Sequence, residues 1–441
     1  MHRGGKSESS MSRLAGVARW AVALILIANA SAQIVPPTRG ADIAEGALTS
    51  PSFPAWDSFT DELHHLGDRM IAQLPKRLRN DPQVQQEVGR LLLEVLAGRS
   101  INAISADGDH PVFLPVLNVT LNVYAPNADT TYRSAKITPG GAYRLRGERG
   151  SLRLLMLGQF GASSASSGVV APTYDDLKSL HLDASGRFDV ILSPTRPAGY
   201  SGDWWQLKPT TSSLMLRQVA DDWASERDPR ISIERVDKPV ERPRSDEADL
   251  ERRLRGLALS VSNTAFPLLN HVESMRQDGY INRLREFDAS RLGALDGQFY
   301  YEGAYELSSD EALIVEVNVP DKCQYRSILL TNDIYETIDW YDNQSSLNDS
   351  QTVVDRDGVL RIVVAGKDPG VPNWLDTAGY PTGSIQGRWM ECSSNPIPTV
   401  RKVPLVDIRK YLPTDTPTVT PSQREQALRD RRAQAQQRPL W

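Results

Sequence analysis

Hydrophobic positions along the chain repeat with two periods, and the switches between them divide the sequence. From residue 56 the period is helical. Phe59, Leu63, Leu66, Met70 and Leu74 recur at spacings of three and four and share one face. Asp57 or Ser58 is placed to cap the start, and Pro75 marks the end. In "DPQVQQEVGRLLLEVLAG", Val84, Val88, Leu91, Leu92 and Val95 form a second stripe, closed by Gly98. The spacing predicts a helical hairpin or lid packed on something larger. The period then falls to two. In "VLNVTLNVY", Leu117, Val119, Leu121 and Val123 alternate with Asn118, Thr120 and Asn122, which predicts a half-buried strand. "AYRLRG", "SLRLLMLGQF", "RFDVILSP", "SLMLRQV" and "RISIERV" read as further strands, separated by Pro139-Gly140-Gly141, Ser185-Gly186 and Pro197 to Gly202.

Helical spacing returns between 246 and 287, with a stripe of Leu250, Leu254, Leu257 and Val261 interrupted by Pro267 and Asp278-Gly279. Alternation resumes after 296. Leu313, Val315, Val317 and Val319 mark one strand in "ALIVEVNVP", and "VLRIVVAG" and "SIQGRWMEC" mark others. The fold class is therefore mainly β with helical additions: an immunoglobulin-like β-sandwich followed by a jelly-roll-like β domain. The expected divisions are a helical segment at 56–105, a first β domain at 106–240, a helical connector at 241–295 and a second β domain at 296–413. In the polar tail at 414–441, Ser422 and Glu425 suggest a capping box. The helix that would follow has almost no apolar face, which predicts a solvated or disordered end.

Charge and targeting narrow the classes. Net charge is −5 over 441 residues, so no basic surface points to nucleic acid. Arg3, Lys6, Arg13 and Arg19 precede the apolar run "WAVALILIANASA", which ends in Ala30-Ser31-Ala32. This layout predicts a secretory signal peptide at 1–32 and a Pro- and Gly-rich arm at 33–55. Export to a periplasmic or extracellular space follows, and no later segment is apolar enough to span a bilayer. Cys323 and Cys392 are then placed to pair, or to remain two buried thiols.

Candidate chemistry is sparse. None of the six histidines lies after His271, so a metal-binding jelly roll lacks its ligands, and neither a metal nor a cofactor is expected. No Gly-x-Ser-x-Gly elbow occurs, and "GASSASSG" at 161–168 reads as a loop. "NDIYETIDWYDN" interleaves Asp333, Glu336, Asp339 and Asp342 with Tyr335, Trp340 and Tyr341, as a sugar-binding groove does. Asp129 in "PNADTTY" and Asp376 in "NWLDTAG" are short acids beside threonine and an aromatic, where they can bind backbone N–H groups or a ligand.

"PNADTTYRSAKITPGGAYRLRGERG", "SGRFDVILSP", "WWQLKP", "LMLRQVADDW" and "GVPNWLDTAGYPTGSIQGRW" together resemble exported bacterial proteins of the paired domain-of-unknown-function families twelve-fifty-four and twelve-fourteen. The resemblance runs colinearly over most of 115–412. Asn127, Asp129, Thr131 and Tyr132 match one element, and Asn373, Trp374 and Leu375 match another, with Gly379 and Arg388 following. The resemblance implies a small helical part, an immunoglobulin-like domain and a jelly roll, and no activity. The more acidic stretch at 322–349 departs from it.

Three readings of function follow. An exported enzyme would act on a carbohydrate or related polar substrate between the β domains. Asp129, Asp376 and Arg388 would do the chemistry, and Asn127, Tyr132, Asn373 and Trp374 would hold the substrate. A non-catalytic envelope-associated module would retain a small-molecule or glycan ligand. A carrier or enzyme for an apolar small molecule would be gated by the N-terminal helices and lined by Trp204, Trp205 and Trp374.

Overall fold

The computed structural model describes residues 54–161, 173–289, 294–295 and 297–440. The leader, most of the arm and the Ser-rich loop after Gly161 lie outside the described residues.

Four helices open the described chain: α1 (Pro54–His64), α2 (Leu66–Gln73), α3 (Lys76–Arg79) and α4 (Pro82–Ser105). The first begins at Pro54, inside the predicted arm and ahead of Asp57. Proline suits the first helical turn because its missing N–H would be unpaired there anyway, and Ala55 behind it is fully buried. Asp81 caps α4, its carboxylate accepting from the Gln83 N–H at 2.9 Å. Gly98 does not close α4, which runs on for another two turns. The connector supplies α5 (Glu247–Ala265) and α6 (His271–Gln277). Leu254, Leu257 and Val261 of α5 join the stripes of α1, α2 and α4 in one apolar core, so two distant stretches build a single helical layer. Leu250 lies on its rim, half exposed.

Strands of the first β body are β1 (Leu114–Pro115), β2 (Thr130–Lys136), β3 (Tyr143–Glu148), β4 (Leu154–Gly161), β5 (Thr173–Asp176), β6 (Arg187–Ser193), β7 (Asp203–Gln206), β8 (Thr211–Val219) and β9 (Arg230–Arg235). Those of the second are β10 (Arg285–Phe287), β11 (Gln298–Glu306), β12 (Glu311–Asn318), β13 (Tyr325–Thr331), β14 (Ser346–Asn348), β15 (Val359–Ala365), β16 (Trp374–Asp376), β17 (Thr382–Met390) and β18 (Thr399–Pro404). Mainly β with helical additions is thus the observed class. Among the described residues the sheets run β1-β2-β8-β4-β5 and β7-β6-β3-β9, then β10-β11-β17-β13-β14 and β16-β15-β12-β18. The second pair repeats the first with every strand advanced by nine. Even the parallel contacts agree: β6 with β7, and β15 with β16. Sandwich and jelly-roll-like body therefore share one connectivity. Leu145, Leu157, Val190 and Leu216 fill the first core, and Val315, Leu330, Ile362 and Trp389 the second. The two five-stranded sheets meet through Leu154, Met156 and Val219 on one side and Tyr325 and Met390 on the other.

Two expectations fail for a physical reason. The alternating run from 116 to 124 is not a strand. Asn118 turns its carbonyl oxygen to the N–H groups of Thr120 and Leu121, both at 2.8 Å. Asn122 donates to the Thr337 carbonyl and accepts from the Thr337 N–H, at 2.6 and 3.0 Å. These side chains satisfy backbone groups that a sheet ladder would otherwise take. The polar tail is a packed helix, α7 (Pro421–Gln437). Its capping box uses Thr420 and Gln423 rather than Ser422 and Glu425. Arg424 and Arg431 are buried on its inner face, stacked over Trp374 and Trp223 at 4.9 and 4.7 Å. Arg438 follows and donates to the carbonyls of Asp129 and Gln218, at 2.7 and 3.0 Å. The helix straps the two β bodies together with arginines where an apolar stripe is the usual means.

Cys323 and Cys392 form a disulfide. They flank the antiparallel pair Tyr325↔Met390 and continue its register, so the bridge locks the start of β13 to the end of β17.

Candidate functional site

A cavity of about 500 Å³ lies where α4 and α5 cover the meeting place of the two five-stranded sheets. That size suits a small organic ligand. Strand alternation decides what enters it. Leu214 and Leu216 of β8 face the first core, so Met215 and Arg217 face the cavity. Ile385 and Trp389 of β17 face the second core, so Gln386 and Arg388 face the cavity. Tyr132 and Ser134 come from β2, Tyr300 from β11, and Arg99 and Asn102 from α4. Leu117, Leu121, Val123 and Tyr124 of the irregular segment supply apolar wall.

Three guanidiniums therefore border a largely apolar space. Arg388 is 4 % exposed; its Nη2 donates to Gln386 Oε1 at 2.6 Å, and it lies 5.2 Å from the Tyr300 ring centroid. Its Nε finds no hydrogen-bond partner among the described residues. An orphaned buried donor on a cation is costly, and an anionic oxygen would relieve it. Arg217 lies over the rings of Tyr132 and Tyr174, at 5.6 and 5.2 Å. Arg99 makes no ion pair among the described residues, and burial holds its guanidinium below the usual arginine range. The cavity's carboxylate, Glu94, is already engaged. It accepts from Arg90 Nε at 2.8 Å and from the Asn122 N–H at 2.7 Å.

Backbone strain concentrates here. Tyr124, Ala125 and Tyr335 all line the cavity and all hold left-handed backbone, at φ 65°, 50° and 66°. Each costs about 1–3 kcal/mol for a residue with a side chain. The Ala125 N–H donates to the Tyr335 carbonyl at 2.9 Å, tying the two strained turns together. A hydrogen-bonded chain then fixes Arg388. His271 Nε2 lies 2.8 Å from Glu302 Oε2, the Tyr335 hydroxyl donates to the same oxygen at 3.4 Å, and Gln386 donates to the Tyr335 hydroxyl.

Of the residues predicted from sequence, Tyr132 and Arg388 reach the cavity. Asn127 stands one step behind, its N–H donating to the Tyr132 hydroxyl at 3.1 Å. Asp129 is enclosed at the junction of the β bodies, 2 % exposed. Its oxygens accept from Trp223 Nε1, Asn348 Nδ2 and the Tyr325 hydroxyl, at 2.8, 2.9 and 2.5 Å. Burial raises its pKa. Asn373 is a backbone brace, bonded to Val353 and to the Arg361 carbonyl, and Trp374 donates to the Ala365 carbonyl at 2.9 Å. Asp376 accepts from the Ala378 N–H at 2.8 Å and holds its own turn. Among the described residues Asp129 and Asp376 share no hydrogen-bond partner, and they do not form the expected acid–base pair.

The acidic and aromatic stretch is no groove either. Asp333 accepts from Arg77 and Thr382, at 2.8 and 2.5 Å; Asp342 pairs with Arg432; and Trp340 is buried. Only Tyr335 of that stretch lines the cavity, and Trp204, Trp205 and Trp374 do not. A wider depression of about 1100 Å³ lies on the outer face of β3 and β6. It is open, and its charges pair across it, Arg187 with Glu148 and Arg146 with Glu234. In the inner cavity, by contrast, the buried Arg388 Nε has no hydrogen-bond partner among the described residues.

Sequence reasoning missed Arg99 and Arg217. Arg217 left one trace: in "LMLRQV" it stands between Met215 and Val219 on a strand whose other face is also apolar. An arginine so placed must be buried.

No family model and no curated protein matches the chain. Among solved structures, it is similar to an uncharacterised protein from Burkholderia cenocepacia, with 28% identity, a TM-score of 0.73, and coverage of 80% of this chain and 97% of that one. It also aligns with the VPA0106 protein from Vibrio parahaemolyticus at 11% identity and a TM-score of 0.41, over 72% of this chain and 98% of that one.

Proposed function

We propose that this is an exported ligand-binding protein of the paired families twelve-fifty-four and twelve-fourteen, and that its ligand is a small organic acid with an apolar body. The buried Arg388, which lines an apolar cavity and whose Nε has no hydrogen-bond partner among the described residues, carries the reading. Arg99 and Arg217 add to the positive field, and Glu94 is already neutralised by its partners. The disulfide supports export, because such bonds persist in oxidising compartments. Colinear motifs over most of 115–412 support the family. A carbohydrate enzyme is less favoured, since its acid and base would be Asp129 and Asp376, both engaged elsewhere.

Thermal unfolding against a panel of aromatic and aliphatic carboxylic acids, their neutral amides and common sugars tests this. A ligand at about 100 times its Kd stabilises by about 2.7 kcal/mol, a rise of several degrees. Acids should raise Tm and amides should not, and Arg388→Gln should abolish the rise. Stabilisation by sugars or amides, with acids inert, contradicts the proposal.

A further inference from the structure

Three stretches of chain that wall the cavity meet at a cluster of carboxyl groups. Glu87 and Glu94 come from α4, and Glu336 from the turn at 332–337. All three are more than nine-tenths buried. Among the described residues their ion pair is with Arg90, which is half exposed and donates from Nε to Glu94 Oε1 at 2.8 Å. Glu87 Oε1 and Glu336 Oε1 find no hydrogen-bond partner among those residues. The cluster also ties the walls to one another. Glu94 Oε2 accepts from the Asn122 N–H, and the Asn122 amide bonds both backbone groups of Thr337. Thr337 Oγ1 donates to the Pro126 carbonyl at 2.8 Å. Glu336 Oε2 accepts from Asn332 Nδ2 at 2.6 Å, within the turn that sets Tyr335 against Gln386. Glu94, Leu121, Val123 and Tyr335 line the cavity itself.

We infer that this cluster is a proton-operated latch: α4 and residues 116–126 close over the cavity while Glu336 carries a proton, and its ionisation loosens them. The latch does not depend on which ligand the cavity takes. Ionised, Glu336 places a negative charge where water cannot reach it. Burial opposes that charge most, and Glu94 next; Asn332 and Arg90 favour it, and Glu87 opposes it. Tyr380 also faces Glu87 and Glu336. Asp333, which acts on Glu87, is paired with Arg77 of α3. Opening α4 and 116–126 lets water reach the carboxyls, so Glu336 returns to its ordinary 4.5 in the open state against about 8 in the closed one. The closed state thus holds the proton more tightly. The latch is fully engaged below pH 4.5 and is released as pH rises towards 8. Over that window the open fraction rises by up to about ten-fold per pH unit, and it levels off above 8. Burial raises Glu94 and Glu87 as well, so all three carboxyls act with one sign. Ligand exchange is then slow in acid and fast towards pH 8.

Hydrogen–deuterium exchange of the intact, unliganded protein at pH 5 and pH 8, corrected for the intrinsic pH dependence of amide exchange, tests the latch. Amides of α4 and 116–126 should open at least about ten-fold more at pH 8 than at pH 5. They should also exchange faster than amides of β12 and β15 at both values, since the opening is local. Glu336→Gln, which cannot ionise, should shrink the rise several-fold. A lid whose exchange does not rise with pH overturns the latch. So does a lid that exchanges only in step with β12 and β15, because the opening is then global unfolding. A rise that Glu336→Gln leaves intact overturns it too. The first two outcomes are read on the wild type, so a poorly folding variant does not blunt the test.

Discussion

Asp129 shows how a residue can look catalytic and be structural. Its two oxygens take three donors drawn from both β bodies, in a place closed to solvent. Asp129→Asn removes one acceptor and sets an amide against donors, which should cost about 1–3 kcal/mol. Chemical denaturation would measure that loss, while affinity for an acid ligand should change little. A collapse of binding with full stability would return Asp129 to the site. Glu336 offers a second test at this scale. Burial, and then the nearby Glu94, push its carboxyl up to about 8, above the ordinary 4.5. The folded state keeps a proton that the unfolded chain releases. The resulting stability is complete below pH 4.5 and is lost as pH rises through 8. Between those values Tm should fall with pH, and Glu336→Gln should flatten the fall by several degrees. Burial shifts Asp221 the same way, so the difference between variant and wild type is the quantity to read. An identical slope in both would contradict the assignment.

Among elements, α7 departs furthest from expectation. Its inward residues Arg424, Arg431 and Arg438 recur every seven positions, which keeps them near one face. A search for apolar periodicity passes over such a helix, although the spacing itself was visible. Arg431 donates to the Trp340 carbonyl and Ser346 Oγ, at 2.7 and 2.6 Å, and burial lowers its pKa to about 10. Arg431→Ala should therefore leave two acceptors unpaired and lower stability by about 2–4 kcal/mol. Removing residues 414–441 should lower it further and loosen the junction around Asp129, visible as faster amide exchange at Thr130 and Ala220. Unchanged exchange and melting would show that the strap is idle. Strands, by contrast, were legible wherever alternation met a partner of matching register. "ALIVEVNVP" and "VLRIVVAG" pair as β12 and β15, with Leu313 opposite Val364. The run at 116–124 misled because its asparagines, placed where a strand would show polar solvent-facing residues, bond backbone instead.

At the scale of the molecule, the repeated topology was not legible. The two bodies keep strand order and a Tyr–Arg pair while the surrounding residues differ: "LMLRQV" corresponds to "IQGRWM". The cavity was equally hidden, because its walls come from stretches near 95, 120, 132, 217, 300 and 388 that only folding brings together. Resemblance pointed to Arg388 and Tyr132 without saying what they border. The disulfide acts at this scale too, closing 69 residues of the second body. Replacing Cys323 and Cys392 by serine should cost about 2–4 kcal/mol, on the chain-entropy account. Reduction should lower Tm by a comparable amount and leave the first body's unfolding unchanged if the bodies melt separately. The proposed seat for the acid is Arg388, in the cavity between the two five-stranded sheets. A crystal structure grown with the acid that raises Tm most tests it directly. Density is expected in the cavity with a carboxylate oxygen within hydrogen-bonding distance of the Arg388 guanidinium. An empty cavity, or the acid seated in the outer depression against β3 and β6, would contradict it.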